Sequence, residues 1–158
     1  MMTNQQKVID LLIKSCEGIR LTAYQDERLI WNIGIGLARV YPDGTAINKG
    51  DTCTEAQAYT WLNEHLIRNI YPYIAQFCNS YNVPDEIFES LCCFVYNEGQ
   101  MPLLQESFRN AIQTKNWNAL ANTMREYNKI RIGGVLTYSK GLTNRREIEI
   151  NNFKQYLT

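Results

Sequence analysis

No stretch of this 158-residue chain approaches the ~18 consecutive apolar residues of a membrane span, and the opening MMTNQQKVIDLLIKSCEG has no long apolar core. Membrane insertion is not expected, and no export signal is legible. Charge of one sign is lacking too. The 16 Lys and Arg are matched by 16 Asp and Glu, which leaves no broad field for capturing nucleic acid. Histidine is nearly absent: His65 stands alone on a predicted helix, where it reads as a surface or hydrogen-bonded side chain, and no metal or cofactor is expected. The five cysteines (Cys16, Cys53, Cys78, Cys92, Cys93) are odd in number and show no C-x-x-C spacing, which argues against a disulfide framework. Cys92 and Cys93 sit inside an apolar helical pattern, so buried free thiols made in a reducing compartment are expected. There are no repeats, low-complexity tracts or linkers. One domain, or two tightly joined lobes, buries roughly two-thirds of its unfolded surface at this length and needs no staples.

What is present falls into two textures. From Asn4 the apolar residues Val8, Leu11 and Leu12 recur at helical spacing until Gly18 stops the run, which puts Glu17 at a helix C-terminus. Residues 19 to 47 are short β-prone runs broken by QDER and PDG, the pattern of a small antiparallel sheet with hairpin turns. Thr54 and Gln57 then form a capping box that opens a helix of more than 20 residues, through Trp61, Leu62, Leu66, Ile70 and Ile74, with Pro72 a kink or a break. After Pro84, DEIFESLCCFVYNEG is apolar nearly all round, as the centre of a helical core should be. Shorter helices are predicted at Leu103–Gln113, Asn116–Tyr127 and Asn144–Leu157, separated by TKN and RIGGVLTYSKG. The class is α+β: a small antiparallel β lobe at about residues 18–53, and a larger helical lobe from the N-terminal helix plus about 75–158, joined by the long helix. Lys129, Arg131, Lys140, Arg145 and Arg146 lie in a stretch without a single acid, which suits an anionic polymer.

Two carboxylates nine residues apart, Glu17 and Asp26, bracket the passage from helix to sheet. Taken alone they read as solvated surface acids. Placed on opposite sides of a sugar, such a pair serves glycosidic hydrolysis: one protonates the leaving oxygen, the other assists water or stabilises developing positive charge. The run CEGIRLTAYQDERLIWNIGIG decides between these readings, because it resembles the phage-type lysozymes, or endolysins, of glycoside hydrolase family 24. Their signature joins Glu-Gly, Leu-x-Ala-Tyr-x-Asp and Thr-Ile-Gly-x-Gly at this spacing. KGDTCTEAQAYTWLNEHL, FESLCCFVYNEG and YSKGLTNRREIEINNF resemble three further blocks of that family, in order, so that the likeness covers most of residues 12 to 153.

The resemblance implies a lysozyme-like fold and an N-acetylmuramidase that cleaves the β-1,4 bond between N-acetylmuramic acid and N-acetylglucosamine in peptidoglycan. By the same resemblance Glu17 is the general acid and Asp26 the second carboxylate. The third position, Thr in the family, is Asn32 here, and its amide either orients a water from a shifted place or fills the water's place. Leu37 stands where the family carries His. Tyr24 and Trp31 either border the glycan cleft or pack the small lobe, Gly36 (with Gly34) permits tight strand geometry beside the sugar, and Asn97 either bonds in the cleft or simply ends a helix. Arg145 and Arg146 are expected to pair structurally near the cleft, with Glu17 a candidate partner; a solvated basic face is the ordinary alternative. Two rivals stand beside hydrolysis: a peptidoglycan-binding homologue disabled at Asn32 and Leu37, and a lytic transglycosylase. The expected partner is the glycan strand, met by a monomer made in a bacterial host cytoplasm without a signal peptide, and a pore-forming or delivery partner would bring it to the wall.

Overall fold

The computed structural model describes residues 4–16 and 18–158. Glu17 lies outside the described residues. The first helix, α1 (Asn4–Ser15), buries Val8, Leu11, Leu12 and Ser15 on one stripe. Its end is closed by Cys16 N–H on the Leu12 carbonyl and Gly18 N–H on the Ile13 carbonyl, both at 2.8 Å, with Gly18 at φ +97° turning the chain away.

The expected antiparallel sheet follows as β1 (Arg20–Gln25), β2 (Trp31–Gly34) and β3 (Leu37–Ala38), in the order β1-β2-β3. Tyr24 faces Asn32 and Gln25 faces Trp31 across the first pair, and Ile33 faces Leu37 across the second. The tip between β2 and β3 turns into the helices rather than into solvent. Ile35, only 2% exposed, joins the helical core, and Tyr96 donates its hydroxyl to the Ile35 carbonyl at 2.8 Å. Gly34 and Gly36, at φ +67° and +70°, make that tip possible: a Cβ on Gly34 would stand 3.1 Å from Ala58 Cβ, and one on Gly36 3.0 Å from Cys16 Sγ.

The long helix is one continuous rod, without a break at Pro72. It consists of α2 (Glu55–His65), a π-helical turn at Leu66–Ile70, and α3 (Tyr71–Asn79). Thr54 and Gln57 form the capping box. The π turn is the physical answer to Pro72: a ring in an ordinary helix collides with the carbonyl four residues back, and the wider turn relieves that contact while Tyr71 N–H still reaches the Leu66 carbonyl. The core helix α4 (Asp85–Glu98) packs against α1, α3 and the last helix, with Leu91, Cys92, Cys93 and Phe94 fully buried. All five thiols are free. Burial pushes the Cys78 thiol up to about 12.

The C-terminal third departs from the sequence expectations. A 3-10 turn (Met101–Leu104) precedes α5 (Glu106–Gln113), and α6 spans Trp117–Arg125. RIGGVLTYSKG is no mere separator, because Lys129–Ile132 (β4) and Val135–Tyr138 (β5) form a second antiparallel hairpin around Gly133 and Gly134 at φ +56° and +84°. The last helix, α7 (Lys140–Asn151), starts four residues earlier than expected, since Ser139 Oγ caps it by accepting from Leu142 N–H at 3.0 Å, and it ends at Asn151 rather than Leu157.

The contact between the sheet tip and α2 can be tested with glycines. Gly34→Ala adds both left-handed backbone strain and a 3.1 Å contact with helix α2, whereas Gly44→Ala, at φ +88° with nothing within 4 Å, adds strain alone. Urea unfolding should show Gly44→Ala losing about 1–2 kcal/mol and Gly34→Ala clearly more. Equal losses would mean that the tip yields freely.

Candidate active site

A cleft of about 680 Å³ opens between the sheet and the helical body. Its sheet side is built by the β1–β2 turn. Asp26 Oδ1 accepts from the backbone N–H groups of Arg28 at 2.8 Å and Ile30 at 3.0 Å, while Oδ2 pairs with the Arg28 guanidinium at 3.1 Å. Leu29 N–H closes on the Asp26 carbonyl, and Leu29 itself takes φ +60°, a conformation the side chain of Asp26 helps to hold. Partial burial works to raise the Asp26 carboxyl, but the bonds from Ile30 and Arg28 outweigh it and hold the group below its ordinary value of 3.8. Asp26 is thus an ionised, oriented charge at every working pH above that range.

Asn32 is buried, 7% exposed, and donates Nδ2–H to the Ile30 carbonyl at 2.7 Å. That bond fixes the amide's orientation, because only the nitrogen can donate there. Among the described residues none donates to Asn32 Oδ1, and Asn32 lines the cleft. The backbone of one residue therefore orients both side chains: Ile30 N–H donates to Asp26 and Ile30 C=O accepts from Asn32.

The helical side rests on buried charge. Arg146, fully buried, donates to Asn97 Oδ1 at 2.7 Å and to Glu98 Oε1 at 3.1 Å, and its Nε stands 3.0 Å from Glu149 Oε2. Arg145 donates to Cys16 Sγ at 3.4 Å and lies 3.5 Å from Glu149 Oε1. Burial raises the Glu98 carboxyl, against the pull of both arginines. The structural pairing expected of the two arginines is present; a pairing with Glu17 concerns a residue outside those described. Of the basic residues in 129–146, Arg146 is fully enclosed and paired, whereas Lys129, Arg131 and Arg145 line the cleft.

Tyr24, Asp26, Asn32, Gly36 and Asn97 are brought together around this cleft. Trp31 is not: half-buried on β2, it pairs with Gln25 and is absent from the lining, because strand alternation sends it to the face opposite Asn32. Tyr24 lies under the Arg20 guanidinium at 4.2 Å and is raised by burial. Leu37 takes its place in the sheet opposite Ile33. Two cleft residues escaped the sequence reading. Glu27 Oε1 accepts from Ser139 Oγ at 3.0 Å, bridging the sheet turn to the start of α7, and Glu98 follows Asn97 at the end of α4. The first had no local signal; the second was visible only as an acid at a helix end. A second hollow of about 550 Å³, between α1, α6 and α7, contains the Arg125–Glu147 ion pair at 2.7 Å and none of these groups.

With this geometry in place, comparison with known proteins gives a consistent result. The Phage lysozyme family model matches residues 14–149. An endolysin of Acyrthosiphon pisum secondary endosymbiont phage 1 is 26% identical over 141 residues, covering 88% of this chain and 90% of that protein. The structure of an endolysin from Escherichia coli O157:H7 phage FAHEc1 superposes with TM-score 0.72 at 28% identity, covering 96% of this chain and 93% of the other. The muramidase domain of SpmX from Asticaccaulis excentricus, 21% identical, shares the fold at TM-score 0.70 over 100% and 99% of the two chains.

The depressed Asp26 carboxyl has a pH signature. A carboxylate held below its unfolded value contributes stability that is present above that value and is lost as pH falls through the folded one. The wild type should therefore lose stability below about pH 4 relative to Asp26→Asn, whose Oδ1 still accepts from Arg28 and Ile30 but carries no charge. Urea midpoints at neutral pH and near pH 3 measure the gap. A gap independent of pH would remove the turn's hold on the carboxylate.

Proposed function

The chain belongs to the phage lysozyme family, and on that premise we propose that it is a muramidase hydrolysing the β-1,4 bond between N-acetylmuramic acid and N-acetylglucosamine in peptidoglycan. One observation carries the mechanism: the backbone of Ile30 holds both an ionised Asp26 and Asn32, a residue that lines the cleft and whose carbonyl oxygen accepts from no described residue. Asn32 Oδ1 accepts a hydrogen from the attacking water, in the role a Thr hydroxyl plays in the family. Asp26, held ionised, stabilises the oxocarbenium-like transition state, orients the same water and takes the proton that the water sheds as the C–O bond forms. Glu17 is the general acid. Support for it comes from the family motif and from its chain neighbour Cys16, which lines the cleft. Attack by water from the face opposite the leaving oxygen gives inversion. The chain acts on the cell wall as one lysozyme-like unit and as a monomer, with no metal or cofactor.

The test is release of reducing muramic-acid ends from purified peptidoglycan, with product masses recorded. Masses carrying one added water support hydrolysis, and masses one water short would replace it by transglycosylation. Glu17→Gln should lower the rate by at least about 10²-fold, since an amide donates no proton. Asn32→Thr keeps an acceptor and should remain active, whereas Asn32→Asp sets a carboxylate oxygen against the Ile30 carbonyl and should be at least about tenfold slower. Asn32→Asp matching the wild type would exclude the Ile30 bracket from the mechanism.

A further inference from the structure

Asp26 is held inside its own turn, but the polar tie between that turn and the helical body is a single bond. Among the described residues, Glu27 Oε1 accepting from Ser139 Oγ at 3.0 Å is the one hydrogen bond or ion pair that joins residues 25–31 to a helix or its cap. Both ends line the cleft. Glu27 is exposed, yet the hydroxyl it meets belongs to a residue only 2% exposed, and that hydroxyl also accepts from Leu142 N–H at 3.0 Å as the cap of α7. The bond is thus keyed to the helix that Arg146 locks to α4. Gly141, in the first turn of that helix, lacks the positive φ that would call for glycine, and a Cβ there would stand 2.9 Å from Glu27 Oε1. A helix glycine is less stable than alanine, so what glycine provides at 141 is room for Glu27.

We propose that Glu27 is a positioning residue for the reaction: by its bond to Ser139 it sets where the turn carries the Asp26 carboxylate relative to the helical side of the cleft. Glu27 follows Asp26 directly, one Cα step of about 3.8 Å away, and the turn is stiffened by the bonds that Asp26 accepts from Arg28 and Ile30, so a shift at Glu27 passes to Asp26. Fixed charge stabilises a transition state only from the right place, and misplacement by about 1 Å can cost 10²-fold in rate. Glu27 acts through Asp26 and needs no contact with the sugar. The inference rests on the muramidase reading for the reaction, while the placement it describes is a property of the fold.

Two readouts separate placement from chemistry: crystal structures of the variants, and kcat and KM on soluble, uncross-linked peptidoglycan strands. Gly141→Ala pushes the flexible end of Glu27 off Ser139 and leaves the backbone alone, so its urea midpoint should equal or exceed that of wild type. The Asp26 turn should move away from Ser139 by at least about 0.5 Å, and kcat should fall about fivefold or more with KM changed less than about twofold. Glu27→Ala should match it, and Gly141→Ala added to Glu27→Ala should lower kcat no further, because the two changes remove the same bond. Glu27→Gln keeps an oxygen for Ser139 and should hold kcat within about twofold of wild type. A wild-type kcat in Gly141→Ala or Glu27→Ala, or an Asp26 turn unmoved in both, overturns the proposal. So does a loss in Glu27→Gln equal to that in Glu27→Ala, which would assign Glu27 a role through its charge. A wild type that releases no reducing ends, with the turn displaced in Gly141→Ala, leaves the positioning standing and sinks the hydrolase reading.

Discussion

A guanidinium buried behind Asn97 and Glu98 sets the helical side of this molecule. Arg146 sits between α4 and α7, fully enclosed, 4.8 Å above the Phe94 ring, and is matched by Asn97, Glu98 and Glu149. Removing one member of such a set leaves an uncompensated charge in a dry interior, at a cost of about 3–5 kcal/mol. The two helices are thereby locked where Asn97 and Glu98 reach the cleft. Arg145 extends the lock to Cys16, at the end of α1. The spacing of three helix ends is thus fixed by ion pairs and hydrogen bonds, which are directional, rather than by apolar packing alone.

The sheet side is held by different means. There the backbone of a single turn binds Asp26 twice and Asn32 once, and no buried charge is involved. The two sides meet through an apolar plug, the Ile35 tip sunk in the helical core, and through the polar bridge from Glu27 to Ser139. Gly141 allows that bridge its close approach, since a Cβ there would stand 2.9 Å from Glu27 Oε1. The apolar plug and the polar clasp thus hold the sheet to the helices at two separate points.

The elements legible in the sequence are those whose apolar residues follow one period. α1 and α4 announce themselves by helical spacing, and the capping box at Thr54 marks the start of α2. The start of α7 was hidden because charged residues hold its interior positions: Arg146 and Glu149 are buried where a hydropathy pattern would ask for Leu or Ile. The second hairpin was hidden for the opposite reason. Ile132, Val135 and Leu136 are exposed, so KIRIGGVLTY shows no alternation between inside and outside, and only its Gly-Gly turn signals a hairpin. Of the site, Asp26 and Asn32 were legible by motif, but the Ile30 backbone groups that hold them leave no trace in side-chain identity. The π turn before Pro72 is equally silent, because proline announces a disturbance without specifying its form.

The bonds that hold Asp26 also limit what it can do. A carboxylate kept below its ordinary value, with one oxygen shared by two N–H groups and the other on a guanidinium, is a weak base. In the proposed reaction its charge is fixed before attack begins, so its first contribution is electrostatic, and such preorganised charge needs no reorganisation as positive character grows on the sugar. In the proposed mechanism the water is therefore oriented first and gives up its proton to Asp26 only as the C–O bond forms. An acceptor oxygen at a fixed position suffices for the orienting, and an amide pinned by its nitrogen supplies one as well as a hydroxyl does. On this account Thr and Asn are alternative solutions to one requirement, and the requirement is written in the Ile30 backbone, which any residue at position 30 other than proline would provide.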